Sequence, residues 1–100
     1  TFVCAHWGGG LPFYEMMPEV EATLRNVYYD TAAWPLLYDD RIFQAAACMV
    51  PAKVMFATDY PLVSQSKAIA RVRSLGLARA IEQDFLGLNA QQVYKRRKGR

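Results

Sequence analysis

Three short apolar segments alternate with helical segments along this chain, and this alternation most limits the fold that it can adopt. The apolar segments span residues 1–5, 26–30 and 53–58, and each has the composition of a strand. Helical composition lies between them and after the last one, which gives the order β-α-β-α-β-α-α-α. Near-continuous apolar strands are typical of a parallel sheet that is buried on both faces and joined by crossover helices. The sequence therefore predicts an α/β fold with three consecutive β/α units.

Periodicity and cap residues place the helices. They are predicted at residues 13–25 with a restart at Pro18, at 41–50, from Ser64 or Ser66 to 73, at 78–86 and at 90–96. Asp39 or Asp40 is expected to cap the helix at 41–50. Residues 31–38, which contain Pro35, are predicted to form a loop, and Gly87 and Asn89 are expected to separate the last two helices.

The charge distribution excludes several classes of partner. The net charge is +3, but five of the twelve basic residues lie in a tail at 95–100, and the rest of the chain carries seven basic and nine acidic residues. A basic surface that could follow nucleic acid is therefore not expected. No segment approaches the roughly 18 apolar residues that a membrane helix needs. We expect neither a nucleic-acid partner nor a membrane partner.

The two cysteines do not indicate a disulfide framework. Cys4 lies in an apolar strand and Cys48 in an apolar helix, so both are predicted to be small buried hydrophobes. This usage fits a reduced, cytoplasmic setting. The chain starts at Thr1 and enters a strand at once, so we expect it to be a fragment of a longer protein.

A polar residue stands at the carboxyl end of each predicted strand, namely His6, Asp30 and Asp59. The carboxyl ends of parallel strands form the edge at which α/β proteins hold their active sites. A carboxylate after an apolar strand, such as Asp59, is costly to desolvate unless it is paired, hydrogen-bonded or bound to a metal. A functional role is not the only interpretation of these residues. His6 could instead be a core histidine that bonds a backbone carbonyl, and Asp30 could stabilise a turn.

The three glycines at 8–10 do not form a dinucleotide-binding fingerprint, because the G-x-G-x-x-G spacing is absent. Glycine amides can also cradle a phosphate, which is one alternative. We expect instead that the glycines allow a close backbone approach and leave room for a substrate beside His6.

Four motifs in series carry a family resemblance. They are HWGGGLP at 6–12, NVYYDTA at 26–32, ATDYP at 57–61 and LGLNA at 86–90. Together they resemble the C-terminal motifs of the amidohydrolase-2 family, whose metal-dependent hydrolases and decarboxylases include aminocarboxymuconate-semialdehyde decarboxylase. The resemblance covers nearly the whole chain in the family's order.

The resemblance implies a (β/α)8 TIM barrel with one divalent metal at its C-terminal mouth. Residues 1–100 would supply strands six to eight and the closing helices, ending in the basic tail. His6 matches the family histidine that activates or orients the metal-bound water, and Asp59 matches a metal ligand that also serves catalysis. Ala57-Thr58 stand where the family has Gly-Ser, and Asn89 matches the start of a closing helix, where we expect it to be a cap.

The resemblance further implies an enzyme that hydrolyses or decarboxylates a small carboxylate, lactone or amide with a metal-activated water. The expected cofactor is a divalent metal, Zn²⁺, and the full-length parent could form a homo-oligomer. The family's other metal ligands, an H-x-H pair and a further histidine, have no counterpart here, since His6 is the single histidine of the chain. The 100 residues alone are therefore expected to be inactive. Two alternatives remain, a stand-alone α/β binding module without catalysis and a phosphate-binding α/β fragment.

Overall fold

Three parallel strands form one sheet in the computed structural model, which describes residues 1–95. The strands are β1 (Phe2–Cys4), β2 (Val27–Asp30) and β3 (Val54–Met55). They lie side by side in chain order, with Val3 opposite Tyr28 and Tyr29 opposite Val54. Parallel neighbours need crossover segments, which the helices supply. The predicted α/β class and its three strands are confirmed.

Six α-helices lie within the described residues. They are α1 (Leu11–Tyr14), α2 (Pro18–Thr23), α3 (Trp34–Leu37), α4 (Gln65–Arg73), α5 (Arg79–Gln83) and α6 (Asn89–Lys95). Two π-helical turns, Phe43–Ala47 and Asp84–Leu88, complete the helical part. Pro18 stands in the first turn of α2, where a missing N–H costs nothing. The predicted restart at Pro18 is confirmed.

The segment predicted as a loop at 31–38 contains α3, so that prediction is wrong. The segment contains Pro35, which is compatible with a helix at one position. It stands in the first turn of α3, where its fixed φ suits the helix and its missing N–H would have had no partner.

The third strand is shorter than predicted, and two amides of the predicted segment bond elsewhere. The N–H of Phe56 donates to the carbonyl of Phe85 at 3.0 Å. The N–H of Ala57 donates to Oγ1 of Thr31 at 3.1 Å. The Ala57 amide is the one that would extend the ladder between β2 and β3, and its bond to Thr31 Oγ1 ends that ladder.

The helix predicted at 41–50 is reduced to the first π-helical turn. The buried residues of this turn are Phe43, Ala46 and Ala47. Asp39 accepts a hydrogen bond from the N–H of Arg41 at 2.8 Å, and this bond lowers the pKa of its carboxyl group. The residue that precedes the π-helical turn is Ile42, and no side chain caps the turn, so the predicted cap by Asp39 or Asp40 is wrong.

Of the caps predicted for the other helices, Ser64 is confirmed and Asn89 is wrong. Ser64 precedes α4, and its Oγ accepts from the N–H of Lys67 at 3.4 Å, as predicted. Asn89 is not a cap, because its backbone is helical and the chain runs without a break from α5 through the second π-helical turn into α6. The Asn89 amide donates instead to the carbonyls of Pro51 at 2.6 Å and Val54 at 2.9 Å, which fastens the closing helix to β3.

Four buried aromatic rings from separate segments meet in the core. The ring of Phe43 lies edge-on to Trp7, Trp34 and Phe85, with centroids 5.1, 5.2 and 5.3 Å away. Such edge-to-face pairs add to the free energy gained by burial alone. Trp7 directly follows His6, so this cluster anchors the segment that carries a candidate site residue.

The expectation of two buried cysteines is wrong for Cys48, which lies after the first π-helical turn and is exposed, whereas Cys4 is half-buried.

None of the helices within the described residues has the length and apolar character needed to span a bilayer. The basic tail predicted at 95–100 lies outside the described residues, except for the backbone of Lys95 at the end of α6.

Candidate functional site

His6 and Asp59 both lie beyond the carboxyl edge of the sheet. His6 follows β1 and Asp59 follows β3, with β2 between these strands. The carboxyl ends of parallel strands share one edge, and this edge is where α/β proteins bind their substrates. The fold therefore brings both predicted site residues to the same edge.

The segment His6–Gly10 forms a left-handed turn. The φ angles are 55° at His6, 58° at Trp7, and 62°, 63° and 97° at the three glycines. A left-handed conformation costs about 1–2 kcal/mol for each residue with a Cβ and little for glycine. His6 and Trp7 thus carry backbone strain, which the complete burial of Trp7 in the aromatic core offsets.

Gly8 is the glycine of this turn that makes a close approach. A Cβ at Gly8 would lie 2.8 Å from Cδ1 of the Tyr29 ring, whereas a Cβ at Gly9 or Gly10 would meet nothing within 4 Å. The close approach expected of the glycines is therefore present at Gly8, and its neighbour is an aromatic ring on β2.

The imidazole of His6 is exposed and has one nitrogen engaged. Nδ1 lies 2.8 Å from the carbonyl oxygen of Ala32. A carbonyl only accepts hydrogen bonds, so Nδ1 must carry the proton, and Nε2 of the neutral ring keeps its lone pair. The backbone carbonyl of His6 accepts a hydrogen bond from the Tyr38 hydroxyl at 2.9 Å. The alternative of a core histidine is right about the carbonyl partner and wrong about burial.

The loop after β2 connects the neighbourhoods of His6 and Asp59. The N–H of Ala33 donates to the carbonyl of Thr58 at 3.2 Å, one residue before Asp59. The N–H of Ala32 donates to Oδ1 of Asp30 at 3.1 Å, as expected for an aspartate that serves a turn. This loop therefore spans the edge from the end of β1 to the end of β3.

Asp59 is exposed and has a left-handed backbone with φ of 66°. Its carbonyl accepts a hydrogen bond from the N–H of Leu62 at 2.9 Å, which closes a turn that includes the cis peptide bond between Tyr60 and Pro61. This turn holds the Asp59 backbone while its side chain stays exposed to solvent.

A buried polar network lies next to the left-handed turn. The hydroxyl of Tyr29 donates to Oε2 of Glu15, and the ammonium of Lys53 donates to both Glu15 oxygens at 2.9 Å and to the Leu24 carbonyl at 2.8 Å. Glu15 and Tyr29 are buried. Burial, and next the adjacent carboxylate, raise the pKa of the Tyr29 hydroxyl well above its ordinary value. Because the Tyr29 ring touches Gly8, this network supports the turn that presents His6.

The comparison with protein families decides the family. A family model described as Amidohydrolase matches residues 1–96. The chain belongs to the amidohydrolase family. No curated protein and no solved structure matches it. The matched residues include His6, Asp59 and the whole loop that connects them.

Members of the amidohydrolase family generally use divalent metals, which are held by His, Cys, Asp and Glu side chains. Among residues 1–95, no three His, Cys, Asp or Glu side chains come together as a metal site. A catalytic zinc is usually held by about three protein ligands. Asp59 can supply one accessible carboxylate, and the described residues do not complete a metal centre by themselves.

In this amidohydrolase chain the sequence identified His6 and Asp59 as candidate site residues and Asp30 as a turn residue. It did not indicate the polar network of Glu15, Tyr29 and Lys53. Glu15 lay in a segment of helical composition and Lys53 at the start of a strand, where charged residues are usually exposed. Their pairing depends on a contact across 38 positions of the chain. No local sequence pattern predicts such a long-range contact.

Proposed function

We propose that this chain contributes the last three β/α units, strands six to eight, and the closing helices of a (β/α)8 barrel. The proposal is supported by three parallel strands in chain order, by crossovers that contain helices, and by the family match over residues 1–96. Two polar residues at the carboxyl edge agree with the position of barrel active sites.

The function that this arrangement supports best is that of a metal-dependent hydrolase or carboxy-lyase. The observation that carries it is the hydrogen bond from Nδ1 of His6 to Ala32, which leaves Nε2 as the proton-accepting atom at the sheet edge. Nε2 would take up and return one proton as general base and acid, a task that a positioned imidazole performs in many enzymes.

Asp59 is proposed as one ligand of a divalent metal, Zn²⁺, with the remaining ligands coming from segments of the parent protein outside this chain. When bound, such an ion supplies a water of lowered pKa and polarises a carbonyl group. The carboxylate of Asp59 would hold the ion by its charge and could accept a hydrogen bond from that water.

The substrate class is proposed to be a small carboxylate, lactone or amide, and residues 1–100 alone are proposed to be inactive. The test uses the full-length parent, loaded with zinc, against panels of lactones, amides and aromatic carboxylates, with product acid and released CO₂ as readouts. We expect turnover on one panel that a chelator abolishes and that zinc restores. Turnover that survives complete metal removal contradicts the proposal. No turnover on any panel favours a binding module without catalysis.

A further inference from the structure

One peptide group at the sheet edge is bonded on both of its sides. The carbonyl of the peptide between Ala32 and Ala33 accepts the hydrogen bond from Nδ1 of His6 at 2.8 Å. The N–H of the same peptide donates to the Thr58 carbonyl at 3.2 Å. The plane of this peptide therefore sets where the Ala32 carbonyl points and, through it, the orientation of the imidazole.

This peptide is held in an uncommon conformation. Ala33 has φ of 57°, a left-handed value that residues with a Cβ adopt at a cost. Without restraint, the chain would relax toward a right-handed or extended conformation and turn the Ala32 carbonyl away from His6. The bond to the Thr58 carbonyl restrains this peptide, and a further contact restrains the peptide that precedes it.

The carboxylate of Asp30 supplies that contact. Its Oδ1 accepts from the N–H of Ala32 at 3.1 Å, and Asp30 is itself fixed as the last residue of β2, where it is paired with Met55 of β3. The contacts run from a rigid strand to Ala32 and from Ala32 to His6. An aspartate or asparagine can bond a backbone N–H two residues further on, whereas alanine cannot.

We infer that Asp30 is a positioning residue that holds His6 as the Nδ1–H tautomer by fixing the loop that presents the Ala32 carbonyl. This inference rests on the proposed function, in which Nε2 of His6 moves the proton. Asp30 itself does not touch the reacting atoms. Without its carboxylate, the carbonyl is no longer aimed at Nδ1, and the Nε2–H tautomer, which cannot accept a proton at Nε2, becomes populated.

The test reads the tautomer directly by ¹⁵N NMR of the imidazole in the full-length protein, well above the ordinary histidine pKa of about 6.5. The His6 signal is assigned by its loss in His6→Gln. Asp30→Ala removes the acceptor, and Asp30→Asn is the matched control that removes the charge but keeps an acceptor oxygen. We expect the Nδ1–H form in the native protein and in Asp30→Asn, and a clear Nε2–H population in Asp30→Ala.

Activity is the second readout. Loss of a hydrogen-bond partner that orients a functional residue commonly lowers activity by roughly 10–100-fold. We therefore expect kcat to fall by about that factor in Asp30→Ala, with a smaller change in KM. In Asp30→Asn, kcat should stay near the native value. A tautomer change with unchanged kcat supports the positioning inference and removes His6 from the proposed mechanism. An unchanged tautomer in Asp30→Ala overturns the inference, whatever the activity.

A folding defect is resolved by a second variant. Asp30→Leu keeps the volume of the side chain without an acceptor and must give the same Nε2–H signal. If neither Asp30→Ala nor Asp30→Leu folds while Asp30→Asn does, Asp30 serves the fold and not His6, and the inference is overturned.

Discussion

At Gly8 a single missing Cβ allows the left-handed turn to lie against β2. Gly8→Ala would place a methyl group 2.8 Å from the buried Tyr29 ring at a φ of +62°. Overpacking and backbone strain together should lower the free energy of unfolding by about 2–4 kcal/mol. Gly9→Ala is the matched control, since φ there is +63° and nothing lies within 4 Å. It should cost only about 1 kcal/mol of strain.

Urea unfolding of both variants measures this difference. A Gly8→Ala variant that is no less stable than Gly9→Ala would show that the Tyr29 ring moves aside at no cost. The role assigned to this contact would then be wrong.

The buried hydroxyl of Tyr29 predicts a dependence of stability on alkaline pH. Its pKa is raised above the ordinary value of about 10, chiefly by burial, so the folded state keeps this proton when the unfolded chain has lost it. The stabilisation is complete below about pH 10 and is lost as pH rises further, by up to about 1.4 kcal/mol per pH unit.

The comparison is with Tyr29→Phe, which lacks this proton in both states. Its unfolding free energy should fall less steeply between about pH 10 and pH 11 than that of the native protein, because every other group titrates in both proteins. Equal slopes would mean that Tyr29 titrates normally in the folded state.

At the scale of single elements, the closing helix depends on Asn89. Asn89→Ala would leave the carbonyls of Pro51 and Val54 without this donor, which should lower the free energy of unfolding by about 2 kcal/mol. Gln92→Ala on the exposed side of α6 is the control and should change stability by less than about 0.5 kcal/mol. Thermal unfolding of the two variants separates them, and equal losses would contradict the anchoring role of Asn89.

The elements also show which features a sequence can predict. The three strands were predictable because near-continuous apolar runs of that length are typical of buried parallel strands. The start of α2 was predictable because Pro18 is suited to the first turn of a helix. The extent of β3 was not predictable, since it is set by the Thr31 side chain, which takes the amide of Ala57. The helix α3 was not predictable from Pro35, because proline occurs both after the end of a helix and in its first turn.

The candidate site was predictable only in part. The alternation of strands and helices places His6 and Asp59 at one edge, and the family motifs suggest their roles. The left-handed backbone of His6 was not predictable, because such a conformation is typical of glycine and not of histidine. The bond from His6 to Ala32 spans 26 positions and depends on the packing of two loops, which no periodicity encodes.

At the scale of the whole molecule, the fold brings the carboxylate of Asp59 and the imidazole of His6 to one edge of the sheet. Residues 1–95 contain no cluster of three metal-binding side chains. In the proposed function, Asp59 would hold the ion and His6 would move the proton, so a substitution at each should have a different effect on metal content.

The most direct test measures zinc per protomer and kcat for Asp59→Asn and His6→Ala in the full-length protein. We predict that Asp59→Asn loses zinc and activity together, because the amide keeps the shape but not the charge that holds the ion. His6→Ala should keep most of its zinc while kcat falls by roughly 10²–10⁴-fold, the usual contribution of a positioned acid or base. Full zinc occupancy and unchanged turnover in Asp59→Asn, or loss of zinc in His6→Ala, would contradict this division of roles.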